Sequence, residues 1–110
     1  MAERDEIPPG TLYMLILRTL ARRGEMHGYE IANSIQQSSD DVLQVEEGSL
    51  YPALQRMLIK GWVTAEWGAT KENRRARYYR LTKAGRKQLE SELAQYKRVS
   101  GAIFRVIESA

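Results

Sequence analysis

The chain has 110 residues, with 17 Lys and Arg against 14 Asp and Glu, one His and no Cys, enough for one domain with its own core and no room in these residues for a second. Hydrophobic residues at 43% and charged residues at 28% exclude the disordered, collagen-like and disulfide-scaffold classes, and the lack of thiols removes thiolate zinc, Cys nucleophiles and redox sensing and fits a reducing, cytoplasmic setting. The net charge of +3 is unevenly spread: residues 1–55 carry −5, residues 56–87 carry +8 and residues 88–110 are neutral, so the middle segment is a candidate polyanion surface.

Residues 1–9 include Ile7-Pro8-Pro9 and show no periodicity, which predicts an extended arm. Their acidic opening, Ala2-Glu3-Arg4-Asp5-Glu6, does not read as a secretion signal. No later apolar run approaches the length of a bilayer span, so no membrane partner is expected. Leu12, Leu15, Ile16, Thr19 and Leu20 then recur at helical spacing, with Thr11 placed as N-cap, Arg22-Arg23 in the last turn and Gly24 at the C′ position. A second helix of about ten residues starts at His27-Gly28, runs through Tyr29, Ile31, Ala32 and Ile35 and ends near Ser38-Ser39. Asp40-Asp41 form a turn and residues 42–45 a short strand. Glu46-Glu47-Gly48-Ser49 introduces a third helix striped by Leu50, Leu54, Met57 and Leu58 and ended by Gly61, with Pro52 expected in its first turn. Its outward face would carry Ser49, Tyr51, Pro52, Gln55, Arg56 and Lys60.

Residues 62–67 and 77–81 are rich in β-branched and aromatic side chains, and residues 68–76 between them supply a charged loop, which predicts a β-ribbon with a basic tip. If Val63 faces the core, Trp67 shares its nominal face and Trp62 takes the other, and Trp67 is expected to pack near Tyr78 or Tyr79. Thr82 would cap a final helix running to the C-terminus. There Leu89, Leu93, Tyr96, Ser100, Ile103 and Ile107 are spaced as a heptad seam, broadened by Val99, Phe104 and Val106, and predict a symmetric dimer. Gly101 is a weak point in that helix, worth about 1 kcal/mol relative to Ala.

Catalysis finds no support. His27 has no nucleophile and no orienting acid near it in sequence. The acidic pairs Asp40-Asp41 and Glu46-Glu47 lack the spacing of a calcium loop, no Gly-rich phosphate loop is present, and neither metal nor cofactor is expected. The order helix, helix, strand, helix, ribbon, helix is mainly α with a small β-wing: a winged helix-turn-helix over residues 1–81, followed by a dimerisation helix over residues 82–110. The +8 segment coincides with the outward face of the third helix and with the ribbon, which favours double-stranded DNA. Lys71, Arg74, Arg75 and Arg77 would contact phosphate or enter a minor groove; Gln55 can pair with adenine and Arg56 with guanine. Tyr51 and Ser49 can reach a thymine methyl or a phosphate, and Tyr29, Pro52, Lys60 and Tyr79 complete the expected DNA-facing set. An alternative is a winged-helix module that binds proteins and has lost specific DNA binding, but such a module would more often show a neutral or apolar wing. Structured RNA fits the third helix less well, because the A-form major groove is deep and narrow.

Gly10 to Leu17, His27-Gly28-Tyr29-Glu30-Ile31, Glu46 to Leu54 and Arg77-Tyr78-Tyr79-Arg80-Leu81-Thr82 together resemble the motifs of the PadR family of bacterial transcriptional regulators, in the right order over about Gly10 to Gly85. The resemblance implies a DNA-binding homodimer, usually a repressor on a palindromic site, built on one long dimer helix as in the family's small branch. It also implies that a small planar aromatic or phenolic effector could bind between the subunits. Tyr96 matches the aromatic that lines such a cavity, with Leu12, Leu15 and Val99 as its expected neighbours. Gly101 departs from the family's usual residues, which puts helix continuity there in question.

Overall fold

The apolar spacing of the first three helices is satisfied by mutual burial. The structure, a computed structural model, describes residues 5–8 and 10–110. The first helix, α1 (Leu12–Arg23), turns Ile16, Leu17 and Leu20 inward; α2 (Gly28–Ser38) contributes Ile31 and Ile35; α3 (Glu47–Ile59) contributes Leu50, Ala53, Leu54 and Met57. Full burial of such side chains stabilises a fold by roughly 1.5–3 kcal/mol each, and these form one continuous core. Its open side is closed by the hairpin of β4 (Val63–Ala69) and β5 (Arg75–Leu81), and by the base of α4 (Lys83–Glu108), where Leu89 is 6% exposed.

The hairpin register pairs Val63 with Leu81, Ala65 with Tyr79, Trp67 with Arg77 and Ala69 with Arg75. Alternation along each strand therefore puts all eight of these residues on one face, apolar at its base and basic towards its tip. Two short strands were not anticipated. Met26–His27 (β2) joins the hairpin antiparallel, giving the order β2-β5-β4, and Asp5–Glu6 (β1) runs parallel to Leu43–Gln44 (β3). The arm over residues 1–9 thus contains a paired segment, while residues 1–4 and 9 lie outside the described residues. The strand expected over residues 42–45 is confined to its central pair.

Several local expectations are corrected by hydrogen bonding. Thr11 is the N-cap residue of α1, its carbonyl accepting from Leu15 N–H at 3.1 Å, but its side chain does no capping: its hydroxyl donates to the Pro8 carbonyl at 2.7 Å. Pro52 lies beyond the first turn of α3, as its sixth residue, so the Gly48 carbonyl loses its intrahelical donor there. The ribbon loop is shorter than residues 68–76. Both strands extend until Thr70 N–H donates to the Arg74 carbonyl at 2.8 Å, and the Tyr78 ring covers Gly68 closely enough to touch a Cβ built there at 3.0 Å. That ring lets a glycine stay in the ladder.

Other signals match. Gly24 adopts φ 83° after α1, and Thr82 caps α4 by accepting from Gly85 N–H at 3.0 Å while donating to the Gly61 carbonyl at 2.7 Å. His27 caps α2: its Nδ1 accepts from Glu30 N–H at 3.4 Å and the Glu30 carboxylate accepts from His27 N–H at 3.1 Å, the reciprocal pattern of a capping box. Helix α4 continues unbroken through Gly101, with the Ser100 hydroxyl bonded back to the Tyr96 carbonyl at 2.7 Å. At 26 residues it is about 39 Å long, and only Gly85 and Leu89 of it are buried.

Candidate nucleic-acid interface

The burial of Leu50, Ala53, Leu54 and Met57 fixes the rotation of α3 and leaves Ser49, Tyr51, Pro52, Gln55, Arg56 and Lys60 all exposed. Each side of this face is held by a neighbour. Tyr51 packs its ring over Gly28 at the start of α2, so closely that a Cβ at Gly28 would lie 2.9 Å from it. Tyr29, 68% exposed, stands next to that contact. On the other side Arg56 Nη1 donates to the Tyr13 hydroxyl on α1 at 3.4 Å, and this bond, with the charge interaction between the two groups, raises the guanidinium pKa above its ordinary value. Tyr13 meets Trp62 edge-on at 5.9 Å, and Lys60 lies 5.3 Å over the Trp62 ring. Trp62 is thereby a half-buried bracket between α1 and the end of α3. The exposed row also includes Ile59, 77% exposed and one turn beyond Gln55. Its four-residue spacing from Gln55 was the available signal.

The ribbon supplies the rest of the positive charge. Lys71, Arg74 and Arg75 are exposed and Arg77 is half-buried. Among the described residues Arg80 pairs with Glu25 at 3.0 Å and His27 lies beside Glu30, so of the ribbon's basic residues Arg80, on the opposite face, is the neutralised one. Two expectations about aromatics are corrected. Tyr79 is 5% exposed and belongs to the core, because it shares the inward face of Val63. Burial raises its phenol pKa, and Arg77 opposes that shift. Trp67 does not pack on Tyr78 or Tyr79. It is 60% exposed and lies against Arg75 and Arg77. Tyr78 instead meets His27 edge-on at 5.4 Å and donates to the Ala69 carbonyl at 3.1 Å.

Of the residues expected at a dimer seam, Leu89 is buried in the chain's own core and Leu93 packs partly against it. Tyr96, Ile103 and Ile107 are 48%, 52% and 68% exposed, and Ser100 is half-buried. The four residues named for an effector cavity lie on α1 and α4. Leu12 lines a cleft of about 270 Å³ with the arm, Leu15 lines another of about 180 Å³ between α1 and α2, and Tyr96 and Val99 face outward from α4. Among the described residues no cluster of His, Asp or Glu could hold a metal ion, and no helix is long and apolar enough to cross a membrane.

The profile of the transcriptional regulator PadR-like family matches residues 16–91, from the core of α1 through the ribbon to the base of α4. The chain belongs to the PadR-like family. A PadR-like chain is a DNA-binding transcriptional regulator and not an enzyme. Uncharacterized protein X of Lysinibacillus sphaericus is 29% identical over 100 residues, 91% of each chain. A 37.1 kDa protein in transposon TN4556 of Streptomyces fradiae is 41% identical over 91 residues, 83% of this chain but 24% of that protein. Among solved structures, a transcriptional regulator from Clostridium thermocellum superposes with a TM-score of 0.82 at 26% identity, covering 90% of this chain and 95% of that one. A PadR family regulator from Eggerthella lenta gives 0.78 at 28% identity, covering 92% and 85%. The PadR-like winged-helix fold, with its small sheet and long last helix, agrees with the architecture expected from the sequence.

Proposed function

We propose that the protein is a homodimeric repressor that reads a palindromic operator, each subunit placing α3 in the major groove and the ribbon along the adjacent backbone. The observation that carries this reading is the exposure of Ser49, Tyr51, Pro52, Gln55 and Arg56 on α3 together with a ribbon whose Arg74, Arg75 and Arg77 have no carboxylate partner among the described residues. Gln55 and Arg56 are the base readers, with Tyr29, Ser49, Tyr51 and Lys60 on phosphate or sugar. Tyr79 drops out of this set because it is buried.

Dimerisation is supported by the apolar side chains of α4 that its own body leaves open: Tyr96, Val99, Ile103, Phe104, Val106 and Ile107 are each at least 45% exposed. A soluble monomer rarely leaves so large an apolar stripe uncovered, and a two-fold pairing of the stripes would set two α3 helices against two half-sites. A small planar aromatic or phenolic compound lodged between the subunits against Tyr96 and Val99, with Leu12 and Leu15 nearby, would release the operator.

The test is competition among three ligands of the same mixed sequence: duplex DNA, single-stranded DNA and duplex RNA. The expected order is duplex DNA first, with affinity falling steeply as salt rises. Equal or tighter binding of the RNA duplex, or salt-independent binding, would contradict the reading. For the effector, planar aromatic compounds should quench Tyr or Trp emission, and a broad panel without a quencher would remove the cavity.

A further inference from the structure

Arg75 and Arg77 stand on one face of β5, two residues apart, and Trp67 on β4 lies directly across from Arg77. The guanidinium carbon of Arg75 is 4.4 Å from the centre of the Trp67 ring and that of Arg77 is 5.8 Å from it, both within reach of the ring quadrupole. One indole thus gathers two like charges that repulsion and their own rotamer freedom would otherwise spread apart. Neither guanidinium has an ion-pair partner among the described residues. The core does not need this Trp: the apolar stretch of the face ends at the Ala65–Tyr79 pair, and Trp67 beyond it is 60% exposed.

Stacking occupies the flat face of a guanidinium and leaves the N–H donors around its edge free. Those donors match phosphate oxygens in pairs. Residues two apart on a strand are about 6.7 Å apart, a spacing of the same order as that between successive phosphates on one DNA strand.

We propose that Trp67 is a positioning residue for the DNA backbone, holding Arg75 and Arg77 as a preformed fork that takes two phosphates of the same strand. The inference rests on the reading of the ribbon as a DNA contact, and it gives that contact a mechanism. A flexible Arg loses side-chain freedom when it takes a phosphate; an Arg already laid on an indole has lost part of it beforehand, so less is lost on binding. The fork raises affinity for any sequence, because it touches no base edge.

The experiment is a salt titration on a duplex of mixed sequence, run as a coupling cycle. Trp67→Leu and Trp67→Thr, strand-compatible residues without a π face, should each weaken binding by roughly five- to tenfold and flatten the log–log salt slope by up to about 0.9 for each phosphate that is no longer held. Either folded variant suffices, and Trp67→Phe should restore most of the affinity. In a background carrying Arg75→Ala and Arg77→Ala, the same Trp67 substitutions should have no further effect. Wild-type affinity in Trp67→Leu and Trp67→Thr would overturn the fork, and so would an equal weakening in both backgrounds, which would mean that the indole acts by itself or through the fold. If Lys71→Ala and Arg74→Ala weaken binding while the Trp67 variants do not, the ribbon still contacts DNA and the fork is wrong. If the wild type shows no salt-dependent binding at all, the DNA reading of the ribbon falls and takes the fork with it.

Discussion

Gln55 and Arg56 are neighbours on α3, yet their surroundings give them different freedom. Gln55 stands on the exposed row, whereas Arg56 is tethered to the Tyr13 hydroxyl. Gln55 is therefore the freer of the two proposed base readers, and Gln55→Ala should cost roughly 1–3 kcal/mol at one base position and little elsewhere. Affinities measured across single-base variants of a bound site would show this, and a uniform loss at every position would move Gln55 onto the backbone. The outward set on α3 was legible because the spacing of Leu50, Leu54 and Met57 fixes the rotation of the helix. Tyr79 was misplaced because its facing depends on which residue of β4 it pairs with. Once Ala65 is its partner and Val63 points inward, Tyr79 must point inward too, but no residue in the sequence states that register. Trp67 shares the nominal face of Val63, as expected, but lies past the edge of the core, where the same face meets Arg side chains instead of apolar ones.

At the scale of elements, the joint between ribbon and α4 holds the closest approach made at any of the glycines. The first turn of α4 abuts the Trp62 carbonyl so closely that a Cβ on Gly85 would overlap it and crowd Leu81. Gly85→Ala should destabilise the fold by about 1–3 kcal/mol or more, the usual range for overpacking, as read by chemical denaturation; an unchanged midpoint would mean that α4 shifts freely on the ribbon. The heptad seam on α4 was read as one surface, but it serves two. Leu89 and Leu93 pack on the chain's own core, while the apolar residues from Tyr96 to Ile107 stay largely uncovered. Spacing alone cannot separate an intramolecular from an intermolecular partner, because both bury the same helix face. Ile103, 52% exposed, tests pairing without disturbing the core. Ile103→Glu should shift sedimentation to the monomer with its helical circular-dichroism signal kept, and a variant that still sediments as a dimer would place the interface elsewhere. The two-residue strands β1 and β2 were missed for a simpler reason: segments of that length carry no period.

For the whole molecule, the small net charge is the sum of an acidic first half at −5, a middle segment at +8 and a neutral end, and the middle segment divides into the end of α3 with the ribbon, at +5, and the first turns of α4, at +3. In the proposed dimer, two-fold pairing through α4 would double that basic surface, so a mildly charged chain would present a strongly charged surface to DNA. On this proposal, affinity from phosphates and choice from α3 would divide the work between two elements, and the dimer would set the distance between half-sites. This arrangement makes the symmetry of the bound sequence the most direct test of the account. Selection of bound molecules from a pool of random duplex DNA should enrich an inverted repeat whose half-sites lie about one helical turn, or a whole multiple of it, apart. Enrichment of a single unpaired motif, or of none, would contradict it.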